Sequence, residues 1–300
     1  MTPSTRPRTL AVFTKNRVNP AYDAARLAAD RVAAAAGART VHYVPRTPDD
    51  VAQQKALVVE ALALKPDGVL FNPTDDAAMA EDVARVAAAG IPLVTFINRV
   101  PGDTVAFVGS DDIDVGRTIA EALFAGLGGK GKIVALDGTP GARTARDRTR
   151  GLEQALDRHP GIELVGSRVG YLQRAPARVA MAELLAAHPQ IDGVWTANDV
   201  MAFGALDALA AAGRRAAVVG INGLPEAIEN IERGTMLASV DFSAFNIAAV
   251  ATAAMLRHLD GHPVPGEIMV PAGLIDRSNC RRWKVPFEQR PIPAWDDFVR

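Results

Sequence analysis

The sequence predicts an α/β protein with two open parallel β-sheets that carry helices on both faces. Three observations lead to this prediction. Short apolar runs, often β-branched, alternate with alanine-rich stretches over most of the 300 residues. Alanine favours helix, and buried parallel strands are apolar throughout. Roughly ten predicted strands are many for one sheet of this kind, so we expect two sheets of about five or six strands each.

The predicted strands are apolar runs of roughly four to seven residues, as expected for buried parallel strands. In chain order they are residues 10–14, 40–44, 68–71, 92–96, 106–108, 132–136, 163–169, 193–196, 217–221 and 237–240. The regular alternation weakens near residues 109–112, near 240–243 and after Met269. We expect the chain to cross between the two sheets at these points. The tail, residues 279–300, shows no helical period and is expected to pack as an extended arm.

The stretches between the strands carry helix start and stop signals. Asn19 precedes Pro20, which places a capping residue before a proline at the first helical position. Glycines at positions 37, 90 and 213 end three of the stretches, as is typical of helix C-termini. The predicted helices are residues 20–36, 48–64, 75–89, 112–127, 144–158, 176–188, 199–212, 225–233 and 245–259.

Composition and charge exclude several classes of function. Hydrophobic residues make up 49% of the chain and charged residues 22%, which is ordinary for a globular protein. The formal net charge of -1 argues against a general nucleic-acid partner. No apolar run reaches about 18 residues, so no membrane-spanning helix is predicted. The single cysteine, Cys280, excludes a disulfide within the chain, and the five scattered histidines argue against a zinc site.

Motifs for cofactor binding and catalysis are absent or out of context. Residues 126–131 (GLGGKG) match the dinucleotide-binding pattern GxGxxG. That pattern must follow a strand and open a helix, whereas here it follows a helix and precedes a strand. We therefore interpret it as a helix end and a turn. The sequence contains no GxSxG, GxxxxGK[ST] or HExxH motif, and Cys280 has no suggested histidine partner, so we expect a structural or incidental thiol there and no cofactor.

Polar and aromatic residues follow most of the predicted strands, at the edge where open α/β sheets bind ligands. Each of them alone fits a helix cap or a turn, but their recurrence at many edges that face one crevice favours a binding site. In chain order they are Asn19 and Tyr22, Asn98 and Arg99, the arginines 143, 146, 148 and 150 after residues 138–141, Tyr171, Asn198 and Asp199, Asn222, and Asp241 and Phe242.

These residue types suit a ligand with many hydroxyl groups. Amides and carboxylates bind vicinal hydroxyls, arginine offers a planar fork to paired oxygens, and tyrosine offers a flat face to a sugar ring. No two edge carboxylates are set apart as the acid and nucleophile of a glycosidase, and no histidine lies at these edges to serve as a base near neutral pH. The pattern therefore predicts binding without catalysis, and no metal.

The chain resembles the periplasmic sugar-binding proteins of ABC transporters, of the ribose-binding type, over about residues 10–278. The ordered set of short matches, rather than any one of them, carries this resemblance. The matching segments are Asn19-Pro20, residues 68–75 (GVLFNPTD), residues 90–94 (GIPLV), Arg99, residues 109–111 (GSD), Gly141, residues 145–148 (ARDR), His188-Pro189, residues 197–199 (AND), Met201-Ala202 and Val219-Gly220.

The resemblance implies the type I periplasmic binding protein fold, with two Rossmann-like lobes joined by a three-strand hinge. We expect residues 1–109 and 241–268 in the N-terminal lobe, and residues 110–240 and 269–300 in the C-terminal lobe and tail. A ligand cleft between the lobes, hinge closure on a sugar and delivery to the membrane permease of an ABC transporter are also implied. The implied location is the periplasm, and the implied oligomeric state is a monomer.

The resemblance also implies roles for particular positions. Asn19 and Tyr22 would contact the ligand from the first lobe. Arg99 and Arg148 match the two ligand-binding arginines of the family, one from each lobe, and Asn198 matches the binding asparagine. Arginine and amide side chains at these places fit a sugar, because both groups bind paired oxygens.

Other site positions depart from the ribose-binding pattern. Tyr171 falls where an aromatic residue is expected, but Asn98 and Asn222 stand where ribose binders have aspartates. Phe242 stands where they have glutamine, with Asp241 beside it. Two carboxylates thus become amides near two arginines. We therefore expect a ligand other than ribose: a pentose, a hexose, a polyol, or an acidic sugar that uses the positive charge.

Two other functions share this fold and stay open at this stage. One is a sugar-sensing effector domain of the repressor type, although only nine residues precede the first predicted strand, which argues against a DNA-binding segment there. The other is a sensory binding protein that reports to a membrane receptor. The N-terminal residues lack the hydrophobic region of a signal peptide, so a cytosolic protein and a chain without its original signal peptide both fit the sequence.

Overall fold

The structure is a computed structural model that describes residues 6–299. The chain divides into two compact units, each built from separate stretches of sequence. The first unit contains the described residues up to Ser110, Ala244–Val270, and the described part of Phe287–Arg300. The second unit contains Asp111–Ser243 and Pro271–Pro286.

Strands and helices alternate along most of the described chain. The strands are β1 (Thr9–Phe13), β2 (Arg39–Tyr43), β3 (Gly68–Phe71), β4 (Leu93–Phe96), β5 (Ala106–Gly109), β6 (Gly131–Asp137), β7 (Ile162–Val169), β8 (Gly193–Thr196), β9 (Ala217–Ile221), β10 (Ala238–Asp241), β11 (Glu267–Met269) and β12 (Gly273–Asp276). The helices are α1 (Pro20–Ala35), α2 (Val51–Leu64), α3 (Ala80–Ala88), α4 (Asp112–Gly126), α5 (Arg143–Leu156), α6 (Arg174–Ala187), α7 (Asp199–Ala211), α8 (Pro225–Arg233) and α9 (Ala244–Leu259). Short 3-10 helices follow at Cys280–Trp283, Phe287–Gln289 and Trp295–Asp297.

The first unit is a six-stranded parallel sheet in the order β11-β5-β4-β3-β1-β2. Its central strands are buried throughout, as their apolar sequences predict. Phe13 stacks on Tyr43 with ring centroids 4.9 Å apart and meets Phe71 at 5.1 Å. Because all strands run in the same direction, their carboxyl ends lie along one edge of the sheet.

The second unit is a six-stranded sheet in the order β12-β10-β9-β8-β6-β7. All neighbouring strands are parallel except β12, which runs antiparallel to β10. The indole of Trp195, at the centre of β8, is fully buried. Helices α4 and α5 approach closely because Gly116 has no side chain: a Cβ there would overlap the carbonyl oxygen of Arg148. This close approach fixes the backbone that carries Arg148.

The structure confirms the predicted fold class, with two mostly parallel sheets of six strands. Residues 126–131 also form the predicted helix end and turn, since α4 ends at Gly126 and β6 begins at Gly131. The sequence did not predict β11 and β12, which have only three and four residues and partly exposed side chains. Within residues 6–299, no helix has both the length and the apolar character needed to cross a bilayer.

The tail differs from its predicted place. Residues 269–300 were expected with the C-terminal lobe, but residues 287–299 pack in the first unit. The guanidinium of Arg31 donates to the carbonyl oxygens of Phe287 and Arg290, at 3.4 and 2.7 Å. The guanidinium of Arg257 lies 4.7 Å from the ring centre of Trp295. Arginine contacts therefore join this part of the tail to the distant helices α1 and α9.

Candidate functional site

Two buried asparagines lie at the carboxyl ends of the neighbouring strands β3 and β4 in the first unit. The Nδ2 group of Asn98 donates to Asn72 Oδ1 and to the carbonyl oxygen of Pro73, each at 3.3 Å. Within residues 6–299, Asn72 Nδ2 and Asn98 Oδ1 have no hydrogen-bond partner. A buried polar atom without a partner costs about 1–3 kcal/mol. The pair therefore presents one donor and one acceptor that the protein itself leaves unused.

Backbone strain accompanies this asparagine pair. Ile97, between β4 and Asn98, has a φ of 64°. This left-handed conformation is rare for a β-branched residue, and such outliers persist where the surrounding structure enforces them. The N–H of Ile97 donates to the carbonyl oxygen of Val108 at 2.9 Å, which ties the strained residue to β5. The strain at Ile97 sets the direction in which the chain leaves β4 and so places Asn98.

The predicted residues after β1 are buried in the same unit. Asn19 caps α1, because its Oδ1 accepts the N–H of Ala21 at 3.0 Å. Tyr22 lies in the first turn of α1 and is 7% exposed. Sequence reasoning missed Lys15, whose side chain is also buried here. Burial raises the pKa of the nearby Asp49 carboxyl, and the charge of Lys15 acts in the opposite direction.

The side chain of Arg99 contacts residues of strands β5 and β11 in the first unit. Its guanidinium lies 3.9 Å from the ring centre of Phe107, on β5, and forms an ion pair with Glu267, on β11. Its charge therefore has a carboxylate partner within the first unit. The structure brings Arg99 to β5 and β11, whereas Asn98, the adjacent predicted residue, contacts Asn72.

Arg148 and Phe242, two of the predicted ligand contacts, lie against each other in the second unit. The Nε group of Arg148 donates to Asp112 Oδ1 and an Nη group donates to the carbonyl oxygen of Ala197, both at 2.8 Å. The guanidinium lies 4.9 Å from the ring centre of Phe242. The Arg148 side chain is 5% exposed, so its orientation is fixed and its charge is balanced by Asp112.

Asn198 and Tyr171 are linked through Leu172. Asn198 Oδ1 accepts the N–H of Met201 at 2.8 Å and so caps α7, while its Nδ2 donates to the carbonyl oxygen of Leu172 at 3.1 Å. Tyr171 and Leu172 have φ values of 54° and 57°. Two successive left-handed residues are uncommon. Tyr171 is 49% exposed in the second unit, so its ring is available to a ligand.

Asn222 and Asp241 lie side by side at the ends of β9 and β10. A Cβ at Gly223 would be 2.9 Å from Asp241 Cβ, which shows how closely this turn approaches the neighbouring strand. Asn222 has a φ of 136°, and its buried Oδ1 has no partner in the part of the chain that the structure describes. The buried Thr139 Oγ1, after β6, shares this property.

The carboxylate of Asp199, at the start of α7, is buried near the carboxyl end of β8 in the second unit. Asp199 Oδ1 accepts the hydroxyl of Ser239 at 2.7 Å, and Oδ2 accepts the N–H of Leu224 at 2.9 Å. Complete burial raises its pKa from 3.8 to about 7, with a further rise from the charge of Asp241. Asp199 is not among the predicted ligand contacts, and its hydrogen bonds to Ser239 and Leu224 give it a supporting position.

Besides Lys15, the sequence prediction left two polar residues, Asn72 and Thr139, out of the site. Asn72 directly follows β3 and precedes Pro73, and the same edge rule that selected Asn98 applies to it. Thr139 is in the turn after β6. Cys280 is buried, in keeping with a structural thiol. Among residues 6–299 there is no group of three histidine, cysteine, aspartate or glutamate side chains suited to a metal ion.

Comparisons with known proteins agree with this architecture. A family model described as a periplasmic binding protein domain matches residues 10–263. The ribose import binding protein of Bacillus subtilis (strain 168) is 29% identical over 227 residues, which cover 75% of this chain and 74% of that protein.

Two solved structures extend the comparison to most of the chain. An ABC transporter periplasmic solute-binding protein from Actinobacillus succinogenes 130z, with bound D-allose, superposes with a TM-score of 0.87 at 26% identity and covers 92% of this chain and 99% of that one. An ABC transporter solute-binding protein from Mycobacterium smegmatis, with bound glycerol, also reaches 0.87, at 29% identity over 92% of this chain and 96% of that one.

Proposed function

Because the chain belongs to the family of periplasmic binding protein domains, we propose that it is a solute-binding protein for a neutral monosaccharide or a related polyol. One observation carries the proposal: both units place buried polar atoms without partners, among residues 6–299, at the carboxyl ends of their strands. These atoms are Asn72 Nδ2, Asn98 Oδ1, Thr139 Oγ1 and Asn222 Oδ1. Native proteins rarely leave such atoms unsatisfied, so a hydroxyl-bearing ligand is their natural partner.

The charge distribution favours a neutral ligand over an acidic one. An acidic sugar would need positive charge that the protein does not already balance. Arg148 is paired with Asp112 and Arg99 with Glu267, so neither predicted arginine offers an uncompensated charge. The unused atoms are amide and hydroxyl groups, which exchange hydrogen bonds with alcohols. The bound ligands named for the two superposed structures, D-allose and glycerol, are neutral polyhydroxyl compounds too.

The proposed cycle begins with a ligand that bridges the two units. Asn72 and Asn98 would hold it from the first unit, and Arg148, Asn222 and Phe242 from the second. Asn19, Tyr22, Tyr171, Asn198 and Asp241 complete the proposed contacts, and Arg99 stays a predicted contact. Binding to both units would select a closed state, in which binding energy stabilises one arrangement over another.

The closed protein would then deliver its ligand to the permease of an ABC transporter. The relatives named as ABC transporter solute-binding proteins support this step and a periplasmic location. We propose binding without catalysis and without a cofactor, in a monomer that makes no contact with nucleic acid. The predicted ligand contacts include no histidine, which is the usual catalytic base near neutral pH, and this supports a non-enzymatic role.

A thermal-shift screen followed by calorimetry tests the proposal. The panel consists of D-ribose, D-allose, xylitol and myo-inositol, with D-glucuronate and D-galacturonate as acidic comparisons. We expect one or more of the neutral compounds to raise the melting temperature and to bind with a stoichiometry of one, because a ligand that binds only the folded state stabilises it. Binding of the two acids alone, or of none of the six compounds, would contradict the proposal.

A further inference from the structure

A tryptophan from the C-terminal segment reaches the end of β10. Trp283 ends the 3-10 helix Cys280–Trp283, and its indole Nε1 donates to Asp241 Oδ2 at 2.8 Å. Residue 283 lies outside residues 10–263, which the family model matches. Trp283 therefore contributes to this contact from outside the part of the chain that the family model matches, whereas Asp241 lies inside it.

Several contacts hold this segment in the second unit. Lys284 and Arg281 both form ion pairs with Glu232, on α8. Cys280 is 1% exposed. Asn279 fastens the segment to β12, since its Nδ2 donates to the carbonyl oxygen of Leu274 at 2.9 Å. The position of the indole is thus set by packing and by contacts at both ends of the short helix.

The indole of Trp283 packs beside strand β12, next to the residue that pairs with Asp241. Asp241 lies opposite Gly273 in the antiparallel pair of β10 and β12. A Cβ at Gly273 would be 3.6 Å from Trp283 Cζ2, so the indole lies directly against this strand. The indole thus packs beside Gly273, while its Nε1 group lies at hydrogen-bond distance from the Asp241 carboxylate.

The other oxygen of Asp241 holds the turn that follows. Asp241 Oδ1 accepts the N–H of Ser243 at 2.6 Å, and Ser243 has a φ of 54°. Between them lies Phe242, 4% exposed, with its ring 4.9 Å from the Arg148 guanidinium. A carboxylate bound at both oxygens has one orientation, and that orientation holds the left-handed turn in place.

We propose that Trp283 is a positioning residue for ligand binding: through Asp241 it holds the turn 241–243, and so keeps Phe242 and Arg148 in the arrangement that receives the sugar. This inference rests on the proposed function. It adds a residue that acts on the ligand without touching it and comes from the C-terminal segment. Removing the indole N–H lets the Asp241 carboxylate rotate and the turn relax.

The test compares Trp283→Phe with Trp295→Phe. Both variants remove an indole N–H from the C-terminal segment and keep an aromatic ring, and Trp295 packs against Arg257 in the first unit. Calorimetry uses whichever of D-ribose, D-allose, xylitol and myo-inositol binds the wild type most tightly. We expect Trp283→Phe to lose about tenfold in affinity, the effect of one charge-assisted hydrogen bond, and Trp295→Phe to bind as the wild type does. Equal affinity of Trp283→Phe and wild type overturns the inference.

A double-mutant cycle with Asp241→Ala, which removes the acceptor of the indole N–H, separates positioning from general stability. If Trp283 acts through Asp241, the Trp283→Phe change has little further effect on affinity in the Asp241→Ala protein. If the two losses add, Trp283 acts by another route and the inference fails. Should Trp283→Phe not fold, the indole N–H resonance of Trp283 in ¹⁵N-labelled wild type supplies the answer: it shifts when the same sugar saturates the protein, and an unshifted resonance overturns the inference. A wild type that binds none of the four compounds removes the proposed function itself, and this inference with it.

Discussion

Replacing Asn98 by alanine should weaken sugar binding by roughly one to two decades, while the free protein keeps most of its stability. Asn98 Oδ1 is buried and unpartnered among residues 6–299, so the free protein gains nothing from it. In the proposed complex it accepts a hydroxyl from the ligand. A hydroxyl left without its acceptor costs about 1–3 kcal/mol, and about 1.4 kcal/mol corresponds to one decade in affinity.

The stability of the free variant follows from the same contacts. The substitution removes two hydrogen bonds of 3.3 Å, from Nδ2 to Asn72 Oδ1 and to the Pro73 carbonyl oxygen. It also removes the unsatisfied Asn98 Oδ1 but leaves Asn72 Oδ1 without the donor that it has in the wild type, and these two effects have opposite signs. We expect a net change of about 1 kcal/mol or less, which is about 2–4 °C in melting temperature for a protein of this size.

Calorimetry measures the affinity, and a thermal melt without ligand measures the stability. The matched control is Asn230→Ala, because Asn230 lies on α8 with its Nδ2 donating to the carbonyl oxygen of Glu226 and its Oδ1 accepting the hydroxyl of Thr235. The control should bind as the wild type does. An Asn98→Ala protein with unchanged affinity, or one whose melting temperature falls far more than that of the control, would refute the reasoning.

Three further predictions follow from single contacts. The pKa of Asp199 is about 7 instead of 3.8, so the folded state holds this proton more tightly than the unfolded state, and the group's contribution to stability falls as the pH rises from about 3.8 to about 7 and is level above that. Thermal melts at several pH values should therefore show the melting temperature of Asp199→Asn rising relative to that of the wild type across this interval. A constant difference between the two melting temperatures would contradict this. Tyr171 is half exposed and has a φ of 54°, a left-handed conformation that glycine adopts without strain, so Tyr171→Gly should keep or raise the melting temperature. The same substitution should lower sugar affinity, and an unchanged affinity in calorimetry would remove Tyr171 from the site. Gly116→Ala should destabilise the protein by about 2 kcal/mol or more in denaturant unfolding and weaken binding, because the new Cβ would overlap the Arg148 carbonyl oxygen. If the variant unfolds at the same denaturant concentration as the wild type, α4 and α5 separate at no cost and this reasoning is wrong.

The parts of the fold that depend on local signals were predictable. Asn19 precedes Pro20 and caps α1 in the structure as in the prediction, because a side-chain cap acts within three residues. Central strands such as β3 are apolar along their whole length and lack competing interpretations. Strands β11 and β12 escaped prediction because they are short and partly exposed, and they exist through pairing with β5 and β10, far away in the sequence.

In the candidate site, too, local features were predictable and contacts between distant residues were not. Edge positions could be selected from the sequence, since the carboxyl end of each strand is a local feature, and Asn98 was selected in this way. What each side chain contacts could not be predicted, because Arg99 meets Glu267 and Asp241 meets Trp283 only after the chain has folded. Asn72 was missed although it directly follows β3, and only its burial and its unpartnered amide single it out.

A crystal structure of the protein with its tightest neutral sugar tests the central claim most directly. We predict one sugar molecule with hydroxyl oxygens at about 3 Å from Asn98 Oδ1, Asn72 Nδ2 and Asn222 Oδ1, and with an oxygen held by the Arg148 guanidinium. A sugar bound elsewhere, with these amide atoms still unpartnered, would contradict the account.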